Sequence, residues 1–99
     1  MKVYDIDVDV SGYLEVDDWG GGLRDAPIHT RLESRRYLVT LSVAAEDKAR
    51  ADALARSYNF TNELWIGVCG IDIDRIEEIP GEESECEFVE FSSSVEVAY

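Results

Sequence analysis

Seven residues near the start of the chain constrain its fold more than any others. From Tyr4 to Val10, the apolar Tyr4, Ile6, Val8 and Val10 alternate with Asp5, Asp7 and Asp9. Successive side chains of an extended strand point to opposite faces. A strict period of two therefore describes a strand with one face buried and three aspartates in a row on the wet side.

The rest of the chain is read around that strand. Ser11-Gly12 offers a turn into a second strand, Tyr13 to Val16. Asp17-Asp18-Trp19-Gly20-Gly21-Gly22 reads as a loop, because three consecutive glycines weaken any regular element, and irregular chain is expected to Pro27. Thr30 and Glu33 have the spacing of a capping box, which suggests a helical turn before residue 36. Tyr37, Val39, Leu41 and Val43 alternate with Leu38, Thr40 and Ser42, a strand whose mild polar side suits a central place in a sheet.

Ala44 to Tyr58 is the predicted helix. Glu46 and Asp47 suit its N-terminal end and Arg56 its last turn, while Ala51, Leu54, Ala55 and Tyr58 form one apolar stripe. Asn59 and Asn62 bracket an exit loop. Leu64 to Cys69 reads as a short strand interrupted by Gly70, after which Ile71 and Ile73 alternate with Asp72 and Asp74. Pro80-Gly81 signals a turn. Val89, Phe91, Val95, Val97 and Tyr99 share one parity in the last segment, with Ser93 as a break that marks a bulge or the corner of a hairpin. The expected architecture is α+β, a mainly antiparallel five- to six-stranded sheet against one helix in the order ββ-loop-β-α-β-β-β. Ninety-nine residues suffice for a single domain spanning 1–99.

Charge is the other constraint. There are 22 acidic residues against 9 basic ones, a net charge of −13. Residues 1–23 carry one basic residue against six acidic, 24–60 carry seven against five, and 61–99 carry Arg75 alone against eleven. Such a surface repels nucleic acid and anionic membrane and attracts basic proteins. No stretch approaches a membrane span, and Met1-Lys2 leads into alternation instead of a signal-peptide core, so the cytoplasm is the expected compartment. Cys69 and Cys86, without an export signal, read as buried free thiols.

The residues that catalysis requires are scarce. His29 is the sole histidine and falls in a predicted loop, and Lys2 and Lys48 are the only lysines. Carboxylates are so frequent that any pair of them arises by chance. Asp5-Ile6-Asp7-Val8-Asp9 has the opening spacing of an EF-hand loop, but Val10 stands where the turn glycine belongs and Val16 where the bidentate glutamate belongs. Gly70-Ile71-Asp72-Ile73-Asp74-Arg75-Ile76 resembles the metal-binding strand of phosphopantetheinyl transferases of the holo-acyl-carrier-protein synthase kind. The match covers under a tenth of the chain, comes late where that family has it first, and lacks the Lys-Glu helix motif, so it is read as coincidence. Gly20 to Gly22 lack the Lys-Ser/Thr of a phosphate loop. No enzyme activity, metal or cofactor is expected. Trp65 is expected in the core, and Trp19 either on the core or as an exposed anchor.

A binding role follows. Aspartates at i, i+2 and i+4 of one strand stand about 6.8 Å apart, a fixed row of negative charge that loosely resembles spaced phosphates. The expected contact residues are Asp5, Asp7, Asp9, Asp17, Asp18, Trp19, Asp72, Asp74, Glu82, Glu83, Glu85, Glu87, Glu90 and Glu96, with Glu90 and Glu96 on one strand face. The expectation is an inhibitor of a basic, nucleic-acid-binding protein, analogous in class to phage inhibitors of restriction or CRISPR systems and to immunity proteins of nuclease toxins. It would act as a monomer or small homo-oligomer, without contacting nucleic acid directly. The alternative is a generic interaction or assembly module with a salt-adapted acidic surface.

Overall fold

The computed structural model describes residues 1–18 and 29–97. Within them the chain forms four strands, β1 (Lys2–Asp18), β2 (His29–Ala45), β3 (Gly67–Glu83) and β4 (Phe88–Glu96), and two short helices, α1 (Lys48–Arg56) and α2 (Phe60–Leu64). The strands make one antiparallel sheet in the order β3-β1-β2-β4. The expected α+β class forms, with four strands and two helices in place of five or six strands and one helix.

The strand count falls because three expected interruptions are absorbed into longer strands. Ser11-Gly12 makes no turn: β1 pairs with β2 without a break from Lys2↔Ala45 to Asp18↔His29. Gly12 instead serves a close approach, since a Cβ there would stand 2.2 Å from the carbonyl oxygen of Gly67 on β3. Gly70 lies inside β3 and does not end a strand. Pro80-Gly81 also lies inside β3; Gly81 takes φ 83°, and the register against β1 shifts between Lys2 and Tyr4, so the turn signal becomes a bulge. Thr30 and Glu33, expected in a helical turn, belong to β2, as do Ala44 and Ala45, expected in the helix. Ala44 pairs with Val3 on one side and Phe88 on the other, and this pairing overrides alanine's helical preference.

Asp47 caps α1 by accepting the Arg50 backbone N–H at 2.8 Å, which sets the helix start at Lys48. Its Ala51 and Ala55 are fully buried and its Leu54 is half-buried, as the stripe predicts, and the small side chains let it lie close on the sheet. Tyr58 lies just past the helix, edge-on to Phe60 and stacked on Phe91 at 6.3 Å. Burial, and then the hydrogen bond it donates to Glu63, push its phenol up to about 12. The expected exit loop contains α2, capped by Asn59 and anchored by buried Phe60 and Leu64.

The core joins these helices to one face of the sheet through Tyr4, Ile6, Val8 and Val10 of β1 and Val39, Leu41 and Val43 of β2. Each such aliphatic side chain contributes roughly 1.5–3 kcal/mol on burial. The helix-side parity read from the sequence holds for both strands, and β2 lies centrally as its mild polar side implied. β3 reaches β1 only as far as Tyr13↔Gly67, and β4 reaches β2 only as far as Tyr37↔Glu96. Beyond those points β1 and β2 continue as a two-stranded arm, and the molecule measures 61 × 25 × 17 Å. Among the described residues no helix is long and apolar enough to cross a membrane.

Candidate binding surface

Both helices pack on one side of the sheet. From the Asp5–Ser42 row outward, the opposite side is covered by no element among the described residues. Register decides what stands on it. Asp5, Asp7 and Asp9 of β1 lie beside Ser42, Thr40 and Leu38 of β2 and beside Glu77, Arg75 and Asp72 of β3. On β4, Glu90, Ser93 and Val95 oppose Ser42, Thr40 and Leu38.

Two bulges alter what strict alternation predicts. Between Asp7↔Arg75 and Val8↔Ile73, Asp74 is the extra residue of β3. Ile73 and Ile76 thus both face the helices, and Asp74 joins Asp7 on the open face, where both line one cavity. Between Thr40↔Ser93 and Leu41↔Phe91, Ser92 is the extra residue of β4. Val89 and Phe91 therefore face the helices while Val95 faces solvent on the open side. Glu90 and Glu96, expected on one face, lie on opposite ones.

The aspartate row is not a free row of charge. Arg36 Nε donates to both carboxylate oxygens of Asp9 at 2.9 and 3.1 Å, and its Nη2 closes a third bond. That guanidinium holds the Asp9 carboxyl below the usual carboxylate range. Arg75 Nε donates to Asp7 at 2.9 Å and Nη1 pairs with Glu77, while the Thr40 hydroxyl donates to the other Asp7 oxygen at 3.2 Å. Asp7 and Asp9 thus tie neighbouring strands together, and of the three only Asp5 has no ion pair or hydrogen bond among the described residues.

The other candidates sort in the same way. Glu87 is gripped by Arg50 through two bonds of 2.8 and 2.9 Å, and Glu96 pairs with Arg35 at 3.3 Å. Asp72, Asp74 and Glu90 on the open face are exposed, as are Glu82, Glu83 and Glu85 around the β3–β4 connection, and none has an ion pair among the described residues. Asp17 and Asp18, expected in a loop, continue β1; their side chains, Trp19 and the glycine run lie outside the described residues. His29, also expected in a loop, opens β2.

No family model, curated protein or solved structure matches this chain.

Two further expectations are corrected. Trp65 is not in the core: it sits just past α2 in the left-handed region at φ 57° and ψ 36°, turned outward between buried Leu64 and Ile66, and is 83% exposed. Cys69 and Cys86 are free thiols as expected, but both are exposed and not buried. Cys69 is the extra residue of a fourth bulge, between Ser11↔Gly70 and Gly12↔Val68, which turns it off the core. The residues that sequence reading passed over are Leu38 and Val95, cross-strand neighbours on the open face that are 43% and 64% exposed. Leu38 carried a signal, because an apolar residue on the polar parity of β2 is unexplained by core packing. Val95 carried none, since its parity depends on the bulge.

Proposed function

We propose that this chain is a binding protein that inhibits a basic, nucleic-acid-binding protein by filling its nucleic-acid site. The supporting observation is the charge that remains after internal pairing. Every described arginine is already engaged: Arg31 with Glu33, Arg35 with Glu33 and Glu96, Arg36 with Asp9, Arg50 with Glu87, Arg56 with Asp52, and Arg75 with Asp7 and Glu77. Lys2 is paired with Glu78, and the N-terminal ammonium donates to the Ser84 carbonyl oxygen beside Glu83 and Glu85. On the open face Asp5, Asp72, Asp74 and Glu90 have no ion pair among the described residues. An antiparallel sheet holding carboxylates without ion-pair partners on one face suits a groove built to receive phosphates. This favours the open face and its acidic end as the contact surface over the Asp5–Asp7–Asp9 row as a unit.

The exposed aliphatics Leu38, Leu32 and Val95 favour a second reading, an assembly module with a partly apolar interface. Salt separates the two. A captured basic partner should weaken steeply between about 50 and 200 mM salt, and should lose its own nucleic-acid binding when saturated with this chain. Retention insensitive to salt, or simultaneous binding of nucleic acid and this chain, refutes the inhibitor reading and supports the module.

A further inference from the structure

A shallow cavity of about 330 Å³ runs across the strands on the open face. That volume lies at the low end of the roughly 300–1,000 Å³ found for ligand sites. Its two ends differ in character. Leu38 of β2 and Val95 of β4 supply exposed apolar wall at one end, with Thr40 and Ser93 between, while Asp7 of β1 and Asp74 of β3 stand at the other. Neighbouring strands lie about 4.8 Å apart, so the span from the β4 wall to the β3 carboxylate is about 14 Å.

We infer that this cavity is the seat of an arginine side chain of the partner protein. An arginine stem is apolar and its head is a planar fork of donors, which matches a surface that is aliphatic at one end and carboxylate at the other. The molecule uses the same chemistry on the same face, where Arg36 lies in bidentate fashion across Asp9 and Arg75 bridges Asp7 and Glu77. Asp7 is occupied by Arg75 and Thr40, so Asp74 is the carboxylate that receives the incoming guanidinium. The Ser92 bulge places Val95, and the bulge in β3 places Asp74. Two irregularities on opposite edges of the sheet thus build the two ends of one groove.

A second copy of this chain is a poor occupant of the face. Its own counterpart is equally acidic, and like charges placed opposite each other repel. A basic partner is complementary, so the inference deepens the inhibitor reading and rests on it for the identity of the occupant.

The test uses the chain alone, with n-butylguanidinium chloride as probe for stem and head together, guanidinium chloride for the head, and n-butylammonium chloride for a lysine-like point charge. Titrations are followed by the NMR shifts of Leu38, Thr40, Asp74 and Val95. Butylguanidinium should move these four together and saturate, with each of the other cations binding at least about fivefold more weakly. Asp74→Asn and, separately, Val95→Thr should each weaken it by at least about fivefold, the scale of losing one charge-assisted contact or its apolar support. Both positions are exposed, so both variants should fold, and the unchanged spectrum elsewhere verifies it. Shifts centred on Glu82 to Glu85, equal binding of butylammonium, or no effect of Asp74→Asn overturn the inference. The two readings also fail separately. If the probe binds as described but no partner loses nucleic acid, the inhibitor reading falls and the site stands. If a partner is inhibited while the probe shifts fall elsewhere, the site falls and the reading stands.

Discussion

Gly12→Ala should be among the most damaging small substitutions in the chain, although exchanging glycine for alanine in a strand ordinarily helps. The new Cβ would stand 2.2 Å from the Gly67 carbonyl oxygen and 3.1 Å from Ile66 Cδ1, whereas real Cβ contacts essentially never fall below 3.0 Å. The obstacle is backbone, so β1 and β3 must part by at least about 0.8 Å at this point. Losing two ladder hydrogen bonds there costs about 2 kcal/mol, and overpacking Ile66 adds about 1 kcal/mol or more, which gives about 3 kcal/mol. For a domain of this size that lowers the melting temperature by about 15 °C. Gly67→Ala supplies the control, because its Cβ would meet only the Tyr13 carbonyl oxygen at an ordinary 3.6 Å. It should be neutral or stabilising by up to about 1 kcal/mol. Chemical denaturation of both variants, with thermal melts alongside, measures the difference. If Gly12→Ala is as stable as the parent, or if the two substitutions cost the same, the β1–β3 pairing described here is wrong, and with it the placement of Asp72 and Asp74 on the open face.

Trp65→Asn should change stability by less than about 1 kcal/mol, against the 3–5 kcal/mol expected for truncating a buried tryptophan, because asparagine tolerates the left-handed region and little apolar area is lost. In a Trp19→Phe background, Trp65 fluorescence should resemble that of indole in water, and a blue-shifted native spectrum refutes its exposure. For Asp9 the sign follows from Arg36. Its folded pKa lies below the ordinary aspartate value, so the pair adds stability above the unfolded value of about 3.9, which is lost as pH falls through the lower folded value. Arg36→Gln should raise the Asp9 pKa in an NMR titration and flatten the acid limb of the stability profile; an unmoved Asp9 titration contradicts the ion pair.

The sequence was most legible where side chains repeat against a regular backbone. The alternation of Tyr4 to Val10 and of Tyr37 to Val43 named the buried faces of β1 and β2, and the Ala51, Leu54, Ala55, Tyr58 stripe named the face of α1. Strand ends were not legible, because glycine and proline mark turns and bulges alike. Ser11-Gly12, Gly70 and Pro80-Gly81 each satisfy a turn pattern, and only pairing with a neighbouring strand turns them into a close approach, an interior residue and a bulge. The open face was half legible for the same reason. Asp5, Asp7 and Asp9 could be assigned from period two alone, whereas Asp74 and Val95 take their side of the sheet from one extra residue in β3 and one in β4, each defined by the strand beside it.

That difference bears on what the acidity does. The aspartate row is the clearest feature of the sequence, yet in the fold Asp7 joins Arg75 of β3 to Thr40 of β2, and Asp9 anchors Arg36. The Asp7–Arg75 pair is exposed and contributes at most about 1 kcal/mol, so it acts mainly to fix register. The Asp9 carboxylate is only 16% exposed and bidentate with Arg36, so that tie also adds stability. Two of the three carboxylates in the row are therefore largely spent inside the molecule, and under the proposed function a partner would meet mainly the charge that the fold leaves unmatched. On the open face that charge belongs to Asp5, Asp72, Asp74 and Glu90, beside an aliphatic pair that no core requirement explains. A net charge of −13 spread evenly would favour any basic surface. Unpaired carboxylates at one end of a groove whose other end is Leu38 and Val95 favour a basic surface that also brings apolar stem, and arginine is the side chain that brings both.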